Sequence, residues 1–200
     1  MDALRPFFIG MDAPKTVHPF FFPGMVSKER KPPMNYSRKL TQAAMIAALY
    51  AALTHLQNFL LPGTASMAIQ FRASEALTVL AFFTPAAIPG LTLGCLIFNL
   101  TSGMALPLDF LVGSLASGGA AAARWYLKNM TFHRLPLLGL AMPALCNAVF
   151  VGWELDVYIG GGFFVNALYV ALGELGVLYS LGIILYSTLS RPRIRAQIFR

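Results

Sequence analysis

Nine residues, Gln70-Phe71-Arg72-Ala73-Ser74-Glu75-Ala76-Leu77-Thr78, put an arginine and a glutamate three positions apart at the head of a long apolar run. In a bilayer each such group costs about 2.5 to 3.5 kcal/mol on insertion scales, so it needs a partner or a purpose. Further polar groups stand within or beside later apolar stretches: Asn99, Asp109, Asn147, Glu154 and Glu174, with Trp153 and Tyr158 close by. Glu174 lies inside an apolar stretch with no lysine or arginine near it in sequence. One arginine among four or five carboxylates suits a cationic ligand or one rich in hydrogen-bond donors, and aromatic side chains are at hand to stack on a planar ring.

Other chemistries lack their residues. No G-x-x-x-x-G-K-S/T phosphate loop occurs, so nucleotide hydrolysis by that route is excluded. His18, His55 and His133 are scattered, and Cys95 and Cys146 lie within apolar runs where free cysteine behaves as a small hydrophobe. No metal site, catalytic residue or cofactor is expected. A membrane enzyme using intramembrane carboxylates is the competing reading, but paired acids also need a positioned nucleophile or metal.

The elements that must carry these groups are membrane helices. The chain is 57% hydrophobic and 12% charged, with mean hydropathy +0.65, whereas a soluble domain is roughly 45 to 50% apolar and about 25% charged. The net charge of +7 gathers in residues 28–39, 124–134 and 191–200. Basic clusters flanking apolar runs are the positive-inside pattern and read as cytoplasmic anchors, not as a nucleic-acid surface.

Residues 1–36, rich in proline, are expected to be a disordered leader, with translation beginning instead at Met25 or Met34 as one option. Residues 37–190 form the membrane domain and 191–200 a basic cytoplasmic tail. Apolar spans are expected at 40–61, 72–83, 86–101, 108–123, 135–152 and 162–189. The stretch 72–100 is interrupted at Thr84-Pro85 and Pro89-Gly90. Basic segments on either side of it share the cytoplasmic face only if it crosses twice. The result is an all-α bundle of six membrane helices with both termini cytoplasmic. Residues 72–83 are its weak point, since as an α-helix they rise only about 18 Å against a core of about 30 Å. The polar groups then collect toward the outer side, with Trp153, Glu154 and Tyr158 at the end of the fifth span and in the loop beyond it. Ala43, Ala47 and Ala51, with Ala44 and Ala48 beside them, recur at four-residue spacing in the first span, and small residues so placed let another membrane helix approach closely.

The run F-R-A-S-E-A-L-T-V-L-A-F-F-T-P-A-A-I-P-G-L-T-L-G-C-L-I-F-N-L, followed by L-D-F-L-V-G-S-L-A-S, closely resembles the queuosine-precursor transporter (QueT) family, small membrane S components of bacterial energy-coupling factor (ECF) importers. N-A-V-F-V-G-W-E-L and G-E-L at 173–175 are also similar, so the likeness spans about residues 38–190. It implies a multi-pass subunit of the bacterial cell membrane, without enzymatic activity of its own. That subunit works with a transmembrane T component, on which the alanine face packs, and with two cytoplasmic ATPases. It implies queuine or a related 7-deazaguanine precursor as ligand. Glu75 or Glu154 would then meet the guanine-like edge and Asp109 or Glu174 a side-chain ammonium. Arg72 would orient Glu75 or meet a ring carbonyl, Phe71 or Trp153 would stack, and Asn99, Asn147 and Tyr158 would complete the pocket. An S component for another vitamin, such as riboflavin or thiamine, is the alternative within the same fold.

Overall fold

The computed structural model describes residues 36–64, 71–103, 105–132 and 135–199. The chain divides into Met1–Pro33 and Met34–Arg200, and every described residue belongs to the second unit. The expectations for the leader, and for Arg134 and Arg200, lie outside the described residues.

Every named element is helical. In order they are α1 (Tyr36–Leu60), a 3-10 helix (Ala73–Phe82), α2 (Ala87–Thr101), α3 (Asp109–Leu127), α4 (Leu137–Tyr158) and α5 (Phe163–Val177). A π-helical turn (Leu178–Gly182) runs on into α6 (Ile183–Leu189), and α7 (Pro192–Ile198) follows. Three helical stretches among the described residues, Tyr36–Leu60, Leu137–Tyr158 and Phe163–Leu189, are long and apolar enough to cross a membrane. Ala73–Phe82 and Ala87–Thr101 are shorter apolar helices.

Helix ends depart from the hydropathy boundaries. α3 continues to Leu127 and α4 to Tyr158, so Trp153, Glu154 and Tyr158 are helical and not part of a loop. A polar side chain lowers hydropathy without breaking the backbone ladder. What ends α4 is a run of three glycines, Gly160, Gly161 and Gly162, at φ of 82°, 94° and 93°, a conformation that side-chain-bearing residues resist. Asp156 holds that turn by accepting a 2.9 Å hydrogen bond from the Gly162 N–H.

Short helix or not, residues 73–82 occupy the centre. The 3-10 helix packs against α1, α2, α3, α4, α5, α6 and the π turn, and eight of its ten residues are buried. A 3-10 helix rises about 2.0 Å per residue, so the ten residues span roughly 20 Å where an α-helix would span about 15 Å. Its three-residue turn also eclipses side chains three apart, which stacks Glu75 and Thr78 along one face, with Arg72 immediately before the helix in extended backbone. Gln57 of α1 fixes the start of this helix, accepting from the Ala73 N–H at 2.7 Å and donating to the Phe71 carbonyl.

The neighbouring helices cross closely through glycine. A Cβ on Gly94 of α2 would sit 2.8 Å from the Tyr50 Cβ and 2.9 Å from the Ala47 carbonyl oxygen. That contact decides the alanine pattern of α1. Ala43, Ala47 and Ala51 are buried inside the chain, while Ala44 and Ala48 are exposed. Of the five alanines expected at an interface, three thus pack inside the chain and two, Ala44 and Ala48, are exposed.

Candidate functional site

The described carboxylates divide sharply by burial. Glu75, Glu154 and Glu174 are 0% exposed and Asp109 is 3% exposed. Arg72, at 1% exposure, is the cation common to them: it lies within electrostatic reach of Asp109 and Glu75, of Glu154 and of Glu174. Asn99 and Asn147 are buried with them. Seven polar residues expected at the site therefore point inward, from the 3-10 helix, α2, α3, α4 and α5.

Each helix fixes its acid differently. The Tyr50 hydroxyl of α1 donates a 2.5 Å hydrogen bond to Glu75 Oε1. Asn147 Nδ2 donates at 2.5 Å to Glu174 Oε1, tying α4 to α5. Asp109 opens α3, accepting from the Leu106 N–H at 3.3 Å, and its carbonyl accepts from Asn99 Nδ2 at 2.6 Å. Glu154 has no such donor: the Asp109 carboxyl lies beside it, within side-chain hydrogen-bonding reach, and no amide or hydroxyl donor meets either of its oxygens.

The remaining acceptors follow one pattern. Glu75 Oε2, Asp109 Oδ1, Glu174 Oε2, Asn99 Oδ1 and Asn147 Oδ1 are also buried without a donor. An unsatisfied buried acceptor costs about 1 to 3 kcal/mol, more when it is charged. Six residues thus converge with acceptor oxygens unmet, which is an environment for donors and positive charge. Among the described residues no group of three or more histidine, cysteine, aspartate or glutamate side chains could hold a metal ion.

The aromatic residues do not join the cluster. Trp153 is 49% exposed and lines an outward apolar groove with Leu111, Leu115, Phe150 and Phe163. Helical geometry accounts for it, since Trp153 and Glu154 are adjacent and point about 100° apart, so burying one turns the other out. Phe71 and Tyr158 are exposed as well. Trp153, Phe71 and Tyr158 therefore stand on exposed faces, apart from the buried polar residues.

The family model described as QueT transporter matches residues 40–191. The chain belongs to the QueT transporter family. It is accordingly a membrane transporter rather than an enzyme. Comparison with curated proteins and with solved structures finds no match.

In this QueT family member the matched region holds all seven buried site residues and three others that reading the sequence passed over. Gln57 anchors the start of the 3-10 helix, and Tyr50 holds Glu75. Arg124, expected among the cytoplasmic anchors, is 0% exposed. Its Nε donates to the Gly139 carbonyl and its Nη2 to the Leu140 carbonyl, both at 2.7 Å, and its Nη1 donates to Thr78 Oγ1. Thr78 in turn donates to the Glu75 carbonyl. A chain of hydrogen bonds thus joins the first turn of α4 to the 3-10 helix that carries Glu75. The sequence held one signal for Arg124: it is 15 residues beyond Asp109 and still within an alanine-rich apolar stretch, where a solvated arginine is out of place.

Proposed function

We propose that the chain is the substrate-binding S component of an ECF-type importer of the bacterial cell membrane, capturing queuine or a related 7-deazaguanine precursor of queuosine. The observation that carries the ligand class is the set of buried acceptor oxygens without donors, gathered around Arg72. A guanine-like edge presents N1–H and an exocyclic amine side by side, and a carboxylate accepts both in a two-pronged, charge-assisted contact. Glu154 suits that role best, because both of its oxygens lack an amide or hydroxyl donor, whereas Glu75, Asp109 and Glu174 each have one oxygen engaged by such a donor. One of those three half-engaged acids would then take the side-chain ammonium of a precursor that carries one, with Arg72 balancing the others.

Six membrane crossings complete this reading, with the 3-10 helix, α2 and α3 supplying the three beyond the long apolar helices, and both termini cytoplasmic. Energy comes from partners, a T component and two ATPases, with Ala44 and Ala48 as the exposed small residues of α1 available to the T component. The site residues are nearly sealed from solvent, so a ring reaches them only when the helices part.

Equilibrium binding of a panel of 7-deazaguanines to the purified chain tests the proposal. Saturable binding of queuine or a precursor, without binding of riboflavin or thiamine, is expected. Affinity for no member of the panel ends the substrate assignment, and flavin or thiamine binding in its place moves the chain to another vitamin.

A further inference from the structure

At the end of α3 far from Asp109, a second groove of about 390 Å³ contains Lys128 and Arg195. Among the described residues no acid holds either cation there. Lys128 Nζ lies 3.2 Å from the centroid of the Trp125 ring, and the Arg195 guanidinium carbon lies 5.8 Å from that of Phe83. An aromatic face positions a cation through its quadrupole and leaves the full positive charge in place. The described carboxylates are Glu75, Asp109, Glu154, Asp156 and Glu174, and none of them lines the groove. Asn129 and Ser190, which do line it, add an amide and a hydroxyl as neutral donors.

Position narrows the class of ligand. Lys128 and Asn129 follow the last residue of α3, and Ser190 follows the last residue of α6, so the groove lies at helix ends, the level at which lipid headgroups meet a membrane protein. Tyr126 and Met130, next in sequence to Trp125 and Asn129 of the groove, are 81% and 57% exposed. Paired cations, neutral donors and neighbouring apolar surface together match a phosphate that carries acyl chains.

We propose that this groove binds the headgroup phosphate of an anionic phospholipid, held between Lys128 and Arg195. The site is separate from the acceptor cluster and does not depend on the substrate assigned to that cluster. The test is native mass spectrometry of the full chain released from bilayers of equimolar phosphatidylglycerol and phosphatidylcholine. The wild-type protein is expected to keep phosphatidylglycerol over phosphatidylcholine by about fivefold or more, and Lys128→Gln/Arg195→Gln to lose that preference. Lys128→Arg/Arg195→Lys keeps both charges and should keep the preference. Arg193→Gln removes a charge from the same tail outside the groove and should also keep it. Equal retention of the two lipids by the wild type overturns the proposal, as does a loss in Arg193→Gln as large as in the double variant. Inorganic phosphate retained at the groove without any preference between the two lipids rules out the lipid as occupant. Arg195→Gln alone, on an exposed side chain, gives the readout if the double variant does not fold, and an unchanged preference there counts against the site.

Discussion

The Tyr50 hydroxyl and the Glu75 carboxylate meet at 2.5 Å across 25 residues of sequence, and they join α1 to the 3-10 helix at the centre of the bundle. This is the donor that holds Glu75 within the cluster. Tyr50→Phe keeps the packed ring and removes the donor, leaving both oxygens of Glu75 unmet. The expected cost is about 1 to 3 kcal/mol of stability, read as a lower melting temperature in detergent. An unchanged melting temperature would mean that the contact contributes nothing.

Glu154 is expected to behave in the opposite way. No amide or hydroxyl donor meets its oxygens, and a second buried acid, Asp109, lies beside it, an arrangement that disfavours charge on both. Glu154→Gln should leave the ligand-free melting temperature equal or higher. It should weaken 7-deazaguanine binding by at least about tenfold, since a lost charge-assisted contact is worth about 1.5 to 3 kcal/mol. Full affinity in this variant removes Glu154 from the guanine-like edge.

Arg124 separates geometry from charge. A lysine keeps the positive charge but lacks the planar fork that reaches two carbonyls and a hydroxyl together. Arg124→Lys should therefore cost about 1 to 3 kcal/mol for each carbonyl left unmet. A wild-type melting temperature for Arg124→Lys refutes this role for the fork.

The two alanine rows of α1 make a paired test. Ala47 is packed on Gly94, so Ala47→Leu should destabilise the chain itself by about 1 to 3 kcal/mol through overpacking. Ala48 is exposed, so Ala48→Leu should leave the melting temperature unchanged while abolishing co-purification with the T component and ATPases. Normal recovery of the complex with Ala48→Leu discards this face as the partner surface.

Burial of the polar residues was largely legible in the sequence, and their partners were not. An acid such as Glu174 inside an apolar helix has nowhere to go but inward, so its type and surroundings suffice to place it. Which donor it meets depends on α4 lying against α5, with Asn147 27 residues away. Arg124 shows the limit from the other side. It shares a basic stretch with Lys128, yet one is sealed among carbonyls and the other lies in a groove at the helix end.

Composition and charge alone determined that this is a membrane chain of apolar helices, because the partition of side chains between water and lipid is a property of each segment by itself. They also marked the break at Thr84-Pro85, which follows from the missing proline N–H. Tertiary structure decided what depends on rotation about a helix axis and on contact between distant segments. A step of one residue turns a side chain by about 100°, which sends Ala47 inward and Ala48 outward, and buries Glu154 while exposing Trp153. The three-residue turn of the 3-10 helix, which aligns Glu75 and Thr78, belongs to the same class. It is stable only because the surrounding helices enclose it.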